Sequence, residues 1–358
     1  MTRSANRFTP SKVLLWSTGL YAILLVALSV LNRVGAEVFW LGALNFYLPQ
    51  IMWAAPGVVL ALLYFRLDRR RIWLPLLCLL WVLGPIMDFR WSFPATPDPG
   101  RPALRVMTWN IKYGYYDLAP LVMELERGKP DLVLFQDAVG ALRGPLADYF
   151  KNWQVVSSGQ YLIASRYPLT EAKVLPLSPA GHTGGSFMRC RMRVGAAQVA
   201  VYNVHLKTPR WSLNEFRAAR KRPWRLLQAV QYLHENVAQR LLQASTLQGH
   251  LSRERGAVIL AGDLNAPESS RVLITLKDAG LRDAFSERGR GYGYTYGHLL
   301  LKYRLPWFRV SWMRIDHIMV NAGFETRSCR TGSGEASDHR PVIADLVLKA
   351  PSPPQPSP

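Results

Sequence analysis

Several apolar segments of this 358-residue chain end in polar side chains that are able to do chemistry. Asn203 and His205 stand two positions apart in one such segment, and Asp263 and Asn265 have the same spacing in another. Side chains of a β-strand alternate between its two faces, so each pair is expected to share one face. Because α/β sheets bind ligands at strand ends, these four residues indicate a functional site.

A third such segment, 314–320, places an aspartate beside a histidine. Asp316 and His317 must point to opposite faces of a strand, so only one of them can share a site with Arg314. Carboxylate and amide side chains supply hard oxygen ligands for Mg²⁺ or Mn²⁺, and a His/Asp pair can transfer protons. Candidate nucleophiles are almost absent from this group, so the pattern favours metal-assisted hydrolysis of a phosphoester.

Alternating strands and helices must bring these groups together. Helical spacing and end signals predict helices over 117–127 and 223–244. The second helix has an apolar stripe that we expect in the core, made of Leu226, Val230, Leu233, Val237 and Leu241. Strand-like composition predicts β-strands over 104–110, 131–136, 161–165, 187–194, 198–206, 257–264, 315–320 and 341–348. The sequence therefore predicts an α/β domain over 104–349.

Seven short motifs in this domain resemble the endonuclease/exonuclease/phosphatase (DNase I-like) superfamily. In chain order they are MTWNIKYG, LVLFQDA, LIASRYPL, VYNVHL, LAGDLN, RIDHIMV and SDHRPV. The resemblance implies a four-layer α/β/β/α sandwich with two packed mixed sheets. Because three apolar segments precede this domain, the whole chain resembles the membrane-anchored bacterial type of the superfamily.

The resemblance also implies catalytic roles for individual residues. His339 matches the family's general base or proton donor, and Asp316 matches the carboxylate that orients it. Asp263 and Asn265 match the pair that orients water and binds phosphate oxygens, and His205 matches a phosphate-contacting histidine. Which of Asp263 and His339 takes the proton of water stays open at this point.

The metal ligands implied by the resemblance are Asn110, Asp137 and Asp338, which would bind Mg²⁺ or Mn²⁺. Asp137 departs from the family, which usually has glutamate there, and its side chain is shorter. The ion is therefore expected to shift, to bind through water or to bind more weakly. Lys112 stands where some repair nucleases have aspartate, so a second metal ion is not expected.

The chain carries 44 Lys and Arg against 24 Asp and Glu, a formal net charge of +20. The densest basic segment, 207–225, follows His205 directly and has tryptophan and phenylalanine interleaved. It is either a solvated surface or a surface that captures an anionic substrate, such as a lipid head group or nucleic acid. We expect Lys207, Arg210 and Arg314 to bind substrate.

Residues 1–91 are expected to form a transmembrane region with helices at about 13–31, 46–65 and 72–88. A buried hydrophobic hairpin and a cleaved signal peptide are the alternatives. The distribution of Lys and Arg places the N-terminus in the cytoplasm. Three crossings would then place the catalytic domain in the periplasm, and two would return it to the cytoplasm. Residues 92–103 form a proline-rich linker, and 350–358 a disordered Pro/Ser tail.

The sequence therefore predicts a phosphoesterase of the bacterial inner membrane that depends on a divalent metal, and no obligate protein partner is inferred. One alternative is a nuclease that acts on DNA or RNA, and the other is a pseudoenzyme that binds a phosphorylated ligand. Three isolated cysteines exclude a cysteine-rich zinc module. Cys190 and Cys329 could form a disulfide in an extracytoplasmic domain.

Overall fold

The computed structural model describes residues 10–35, 37, 39–93, 95, 103–115, 117–178, 184–297 and 310–349. The chain divides into two compact units, Met1–Arg90 and Trp91–Pro358. The predicted tail 350–358 and most of the predicted linker 92–103 lie outside the described residues.

The first unit is helical. Its helices are α1 (Pro10–Arg33), α2 (Trp40–Tyr47), α3 (Ala55–Leu67) and α4 (Trp73–Trp81). A 3₁₀ turn, Gln50–Ala54, leads into α3, and a π-helical turn, Val82–Ile86, continues α4. Polar side chains join the helices: Tyr21 of α1 donates to the carbonyl of Trp53 at 2.5 Å, and Trp81 of α4 donates to Ser29 Oγ at 2.9 Å.

Among the described residues, two helical segments are long and apolar enough to cross a membrane, Pro10–Arg33 and Gln50–Leu67. The third expected helix, 72–88, is shorter than predicted. Helical backbone covers only residues 73–86, which is about 21 Å at 1.5 Å per residue, against about 30 Å of hydrocarbon. Pro85 interrupts the regular helix in the π turn because it lacks an N–H donor. The prediction of three spanning helices is therefore not confirmed.

The second unit contains six helices and twelve strands within the described residues. The helices are α5 (Leu118–Gly128), α6 (Gly144–Tyr149), α7 (Arg210–Ala219), α8 (Leu226–Leu251), α9 (Arg271–Asp278) and α10 (Ala284–Arg288). The strands are β1 (Leu104–Asn110), β2 (Leu132–Gln136), β3 (Gln154–Ser158), β4 (Tyr161–Ser165), β5 (Leu169–Pro176), β6 (Ser186–Val194), β7 (Ala197–His205), β8 (Ala257–Asp263), β9 (Arg282–Asp283), β10 (Asp316–Val320), β11 (Phe324–Thr331) and β12 (Val342–Leu348).

The strands form two mixed sheets of six strands each. Their orders are β11-β12-β1-β2-β4-β3 and β5-β6-β7-β8-β10-β9. One parallel pair lies near the middle of each sheet, β1 with β2 and β7 with β8, and the other pairs are antiparallel. The polar ends of β1 and β2 therefore lie side by side, as do those of β7 and β8.

Three apolar clusters show that the sheets pack on each other and carry helices on their outer faces. Val106 of β1 and Ile259 of β8 belong to the cluster between the sheets. Met107 and Trp109 point the opposite way, toward α5 and α6, as strand alternation requires. A third cluster joins the second sheet to α8 and α9. The predicted α/β sandwich with two packed mixed sheets is confirmed.

Two predictions about the interior need correction or completion. Leu233 and Val237 of α8 are buried as expected, but Leu226 is 43% exposed, so its assignment to the core is wrong. Cys190 of β6 and Cys329 of β11 both lie in the cluster between the sheets, and both thiols are free. The possible disulfide between them is not formed.

Glu254 follows α8 and links the end of that helix to β6 and β7. Its carboxylate accepts hydrogen bonds from Arg189 Nε at 2.7 Å and from the Tyr202 hydroxyl at 2.8 Å, and it lies 3.2 Å from Arg191 Nη2. Burial alone would raise the pKa of Glu254. The hydrogen bonds and the two arginine charges outweigh burial and lower the pKa below its ordinary value of 4.5.

We expect Glu254→Gln to lower the free energy of unfolding by about 2 kcal/mol at pH 7, because hydrogen bonds to charged groups contribute about that much. The pKa of Glu254 is lower in the folded protein than in the unfolded chain. Its stabilisation is therefore present above pH 4.5 and is lost as the pH falls through the lowered folded value. Pulse proteolysis of the full chain in urea, at several pH values, measures the difference.

Glu171→Gln is the matched control, because Glu171 lies 3.7 Å from the same Arg191 but is 62% exposed. An exposed ion pair contributes less than about 1 kcal/mol. Equal losses of stability in the two variants, or a Glu254 effect that is the same at pH 3 as at pH 7, would contradict the interpretation.

Candidate active site

Polar residues at the ends of strands in both sheets meet at one place. The strand register places His205 of β7 and Asp316 of β10 on either side of Asp263 of β8. Asn110, at the end of β1 in the other sheet, donates to Asp263 Oδ2 through Nδ2 at 3.1 Å. His339 precedes β12 and completes the group. The structure thus brings together residues that are far apart in the sequence.

Asp263 is the centre of the site and is 1% exposed. Its Oδ2 lies 3.5 Å from His205 Nε2 and 3.7 Å from His339 Nε2. Its Oδ1 accepts a hydrogen bond from the backbone N–H of Asn265 at 2.9 Å. Burial, and then the charge of Asp316, raise the pKa of Asp263. The carboxylate therefore lies between two imidazoles.

His339 is bound on its far side by a second carboxylate. Its Nδ1 lies 2.9 and 3.1 Å from the two oxygens of Asp316. Burial disfavours the charged imidazole, but the charges of Asp316 and Asp263 outweigh burial and raise the pKa of His339 to about 9. The Tyr296 ring lies against the imidazole, with 4.8 Å between the ring centroids, and Trp109 Nε1 donates to the His339 carbonyl. Only Nε2 is left to face Asp263.

Two of the predicted catalytic and metal-binding residues have left-handed backbone, which is uncommon for residues other than glycine. They are Asp137, with φ of 47°, and Asn265, with φ of 49°. The Asn265 side-chain amide donates to the Leu206 carbonyl at 3.0 Å, which fixes the loop that follows β8. Such strain persists where the surrounding structure enforces it, and it clusters at functional sites.

Gly262 lies immediately before Asp263, where β8 passes very close to β7. Its φ is 148°, and a Cβ atom added there would lie 1.8 Å from the Val204 carbonyl oxygen. Only glycine permits this approach, so Gly262 sets the position of Asp263 relative to β7.

His205 connects Asp263 to Asp137. Its Nδ1 lies 2.7 Å from Gln160 Oε1 and 3.5 Å from Asp137 Oδ1. The negative charge of Asp137, together with burial, raises the pKa of the Tyr113 hydroxyl. Asp137 therefore lies on the His205 side of the site.

Asp338 lies among cations. Lys112 Nζ donates to its Oδ2 at 2.8 Å, and Arg210 Nη2 lies 3.7 Å from the same oxygen. Burial alone would raise the pKa of Asp338, but the charges of His339 and Lys112 lower it. Its Oδ1 is buried and has no hydrogen-bond partner among the described residues. One oxygen of Asp338 is thus neutralised and the other is available.

Residues 107–339 match the model of the Endonuclease/Exonuclease/phosphatase family. The chain belongs to this family. It is a hydrolase that acts on phosphoester bonds. No curated protein matches the chain in sequence.

Solved structures of the same family description resemble this chain at low sequence identity, and the two Bacteroides structures share its fold. One is from Bacteroides thetaiotaomicron: it is 14% identical, the match covers 70% of this chain and 99% of the other, and the TM-score is 0.51. A second, from Bacteroides vulgatus, is 16% identical, with 70% and 100% covered and a TM-score of 0.51. A third, from Beutenbergia cavernae, is 20% identical, with 69% and 72% covered and a TM-score of 0.48.

The residues of this Endonuclease/Exonuclease/phosphatase family member fit a divalent cation bound through oxygen. Asp263, Asp316 and His339 have ligand atoms within 4.8 Å of one another. Outside this cluster, Asp338 Oδ1 is a further buried carboxylate oxygen, and it has no hydrogen-bond partner among the described residues. Burying a carboxylate oxygen without a partner is costly, and a hard cation satisfies it. Mg²⁺ and Mn²⁺ both suit such ligands.

Arg314, which was expected to bind substrate, lies instead in a buried ion-pair cluster. Its Nη1 donates to Asp283 Oδ1 at 2.8 Å and its Nη2 to Glu268 Oε2 at 2.9 Å. His317 packs in the same cluster, 2.8 Å from Asp283, as alternation predicted. The prediction for Arg314 is wrong because β10 begins only at Asp316, so strand alternation does not extend back to residue 314.

The other two residues expected to bind substrate lie near the mouth of the site. Arg210 has half of its side chain exposed while it contacts Asp338. Lys207 is exposed, two residues after His205. Both side chains therefore reach solvent.

Sequence reasoning missed several residues that position the site. Ser337 Oγ donates to the Asn110 carbonyl at 2.6 Å and accepts from the His339 N–H at 3.1 Å, so it ties the two together. Gln136 Nε2 donates to Asn203 Oδ1 at 2.7 Å, in a buried amide pair that joins the two sheets. The polar end of β2 signalled Gln136, but nothing in the sequence pairs it with Asn203.

Proposed function

We propose that this chain is a membrane-anchored, divalent-metal-dependent phosphoesterase that hydrolyses a phosphodiester or phosphomonoester by attack of water. The observation that carries the proposal is the buried Asp263 carboxylate, 3.7 Å from His339 Nε2, with Asp316 on the opposite nitrogen of His339. Asp263 contacts the amide of Asn110 and the imidazoles of His205 and His339, none of which is a hydroxyl or thiol nucleophile. This set supports water as the nucleophile.

In the proposed mechanism, Asp316 holds His339 so that Nε2 is the atom that exchanges a proton. Asp263 and His339 together handle the proton of the attacking water and the charge that develops on phosphate. His205, fixed by Gln160, offers Nε2 to a phosphate oxygen. The backbone N–H of Asn265 keeps the Asp263 carboxylate in a fixed orientation.

Asn110, Asp137 and Asp338 are the residues that we propose hold Mg²⁺ or Mn²⁺. When bound, the ion would neutralise negative charge on the phosphate group of the substrate. Lys207 and Arg210 are proposed to attract the anionic substrate to the mouth of the site.

We further propose that the chain is a multi-pass protein of the bacterial inner membrane. The two apolar helices of spanning length support this. Two crossings return the chain to the side of its N-terminus, for which the Lys and Arg distribution favours the cytoplasm, and a third crossing by 73–86 would place the catalytic domain in the periplasm. A compartment-specific reporter enzyme fused after Leu348 distinguishes the two topologies.

Hydrolysis by the purified full chain tests the proposed function. The substrates are an aryl phosphodiester, an aryl phosphomonoester and plasmid DNA, each with Mg²⁺, with Mn²⁺ and with a chelator. We expect metal-dependent turnover that the chelator abolishes, and Asp148→Asn, an exposed carboxylate on α6, should leave it unchanged. A folded protein with no turnover on any substrate would favour the pseudoenzyme, and turnover confined to DNA would favour the nuclease.

Lys112 is expected to limit metal affinity, because its charge neutralises Asp338. We expect Lys112→Met to lower the Kd for Mn²⁺ by about tenfold, equal to about 1.4 kcal/mol. The effect is expected to be this small because the lysine is partly exposed to solvent. Electron paramagnetic resonance measures the concentration of free Mn²⁺, so the Kd is obtained without enzymatic turnover. Lys129→Met, an exposed lysine after α5, is the control. An unchanged Kd in Lys112→Met would remove Asp338 from the proposed metal site.

A further inference from the structure

The turn between α7 and α8 exposes large apolar side chains beside a run of cations. We name residues 220–227 the α7–α8 tip; they run from the end of α7 into the first turn of α8, and seven of the eight are exposed. Trp224 is 75% exposed, Leu226 43% and Leu227 82%. An exposed apolar group of this kind on a soluble domain marks an interaction surface.

Packing of α8 does not account for these apolar side chains. The buried face of α8 begins at Ala229 and continues through Leu233 and Val237. Leu226 and Leu227 precede this face and are left in solvent. Trp224 lies in the 3₁₀ turn ahead of α8 and is also outside the core. The three side chains therefore need a partner outside the domain core.

The cations of the tip have almost no internal compensation. Residues 207–227 contain seven Lys and Arg but one acidic residue, Glu215. Glu215 pairs with Arg225 at 3.0 Å. In the part of the chain that the structure describes, no acidic side chain pairs with Arg220, Lys221 or Arg222. The charge of the tip is thus complementary to an anionic surface.

We propose that the α7–α8 tip docks the catalytic domain on an anionic lipid bilayer. Arg220, Lys221 and Arg222 contact the phosphate head groups, and Trp224 and Leu227 enter the interfacial layer. Tryptophan prefers that layer, and basic side chains near an anionic bilayer each add to binding. The two helices of spanning length in the same chain would keep a bilayer within reach.

A nucleic acid matches the charge of the tip but not its aliphatic side chains. It would meet the cations and could stack on Trp224. It offers no apolar surface to bury Leu226 and Leu227. The aliphatic pair is what favours a bilayer over a nucleic acid.

Docking in this way would bring the active site close to the head groups. Arg210, the first residue of α7, lies 3.7 Å from Asp338 of the site. Helix α7 has 10 residues, so its length is about 15 Å. The site would then lie within about one short helix of the docked tip, at a depth suited to phosphoesters of the membrane surface.

A fluorescent label at residue 227 tests the proposal on the full chain. Leu227→Cys is labelled with a polarity-sensitive dye and placed in nanodiscs of phosphatidylcholine, alone or with an equal amount of phosphatidylglycerol. The three native cysteines are buried, and the unsubstituted protein measures their background. We expect a blue shift, and quenching by a nitroxide-labelled lipid, in the anionic discs. Val139→Cys, an exposed control site after β2, should show neither.

Charge and apolar variants separate the two parts of the interaction. Arg220→Gln, Lys221→Gln and Arg222→Gln together should weaken docking on the order of 100-fold, from the loss of three cations. Trp224→Ser should reduce lipid quenching of the label at 227. Turnover of a soluble aryl phosphodiester should not change, because the tip lies outside the catalytic group. Docking is read from the label, so failure of the proposed phosphoesterase activity would leave this test intact.

Two outcomes would overturn the proposal. In the first, the label at 227 stays in water whether or not phosphatidylglycerol is present. In the second, a single-stranded oligonucleotide binds the chain and loses affinity in the triple-glutamine variant, while lipid has no effect on the label. That result would make the tip a nucleic-acid surface.

Discussion

Replacing His339 with asparagine is expected to lower kcat for phosphoester hydrolysis by about 10³-fold, with little change in KM. A positioned acid–base group contributes about 10²–10⁴-fold. Asparagine can still donate to Asp316, as Nδ1 does at 2.9 Å, so the buried carboxylate keeps a partner. The amide has no titrating group to place where Nε2 faces Asp263. Initial rates on an aryl phosphodiester at saturating Mg²⁺ measure the effect.

His234→Asn is the matched control, because His234 is an exposed histidine on α8. It should retain full activity. A His339→Asn variant with near-normal kcat would show that the proton passes elsewhere. A variant that loses both activity and cooperative unfolding would report damage to the fold, so circular dichroism of both proteins accompanies the rates.

Gly262→Ala is expected to have the largest effect on stability, about 4 kcal/mol or more, and to abolish activity with it. The added Cβ would lie 1.8 Å from the Val204 carbonyl oxygen, and that contact is backbone, which a side-chain rotation cannot relieve. The φ of 148° at this position is also unfavourable for alanine. Strands β7 and β8 would have to separate at their ends, where His205 and Asp263 lie. Pulse proteolysis in urea measures the loss.

Gly249→Ala is the control, because the same substitution is expected to have the opposite effect on stability at that position. Gly249 lies on the exposed side of α8, with nothing within 4 Å of an added Cβ. Alanine should stabilise the helix there by about 0.5–1 kcal/mol. If Gly262→Ala were as stable as the unsubstituted chain, the close approach of β7 and β8 would not be required.

Several strands of the sandwich could be predicted from the sequence because a buried strand carries apolar residues on both of its faces. The predicted bounds 104–110 and 161–165 are those of β1 and β4. The strands that were missed, such as β5 and β3, are largely exposed, and polar exposed strands lack that signal. The length predicted for the third apolar helix was too great, because composition counts apolar residues and does not show where Pro85 changes the hydrogen bonding.

The site was predictable in its residue types and less so in its contacts. Strand ends and family motifs located Asp263 and His339, which the structure places 3.7 Å apart. The Lys112–Asp338 ion pair joins residues 226 positions apart, and no local pattern encodes such a contact. Leu226 continued the apolar spacing of α8 but lies before the helix reaches its sheet, so periodicity alone assigned it to the core.

Burial of the two cysteines between the sheets determines how reactive their thiols are. Cys190 and Cys329 are unbonded, and burial raises the pKa of both thiols, that of Cys190 to about 12. At that pKa the reactive thiolate is scarce, so neither sulfur is readily oxidised or exchanged. Burial in the core between the sheets thus keeps both thiols out of redox chemistry.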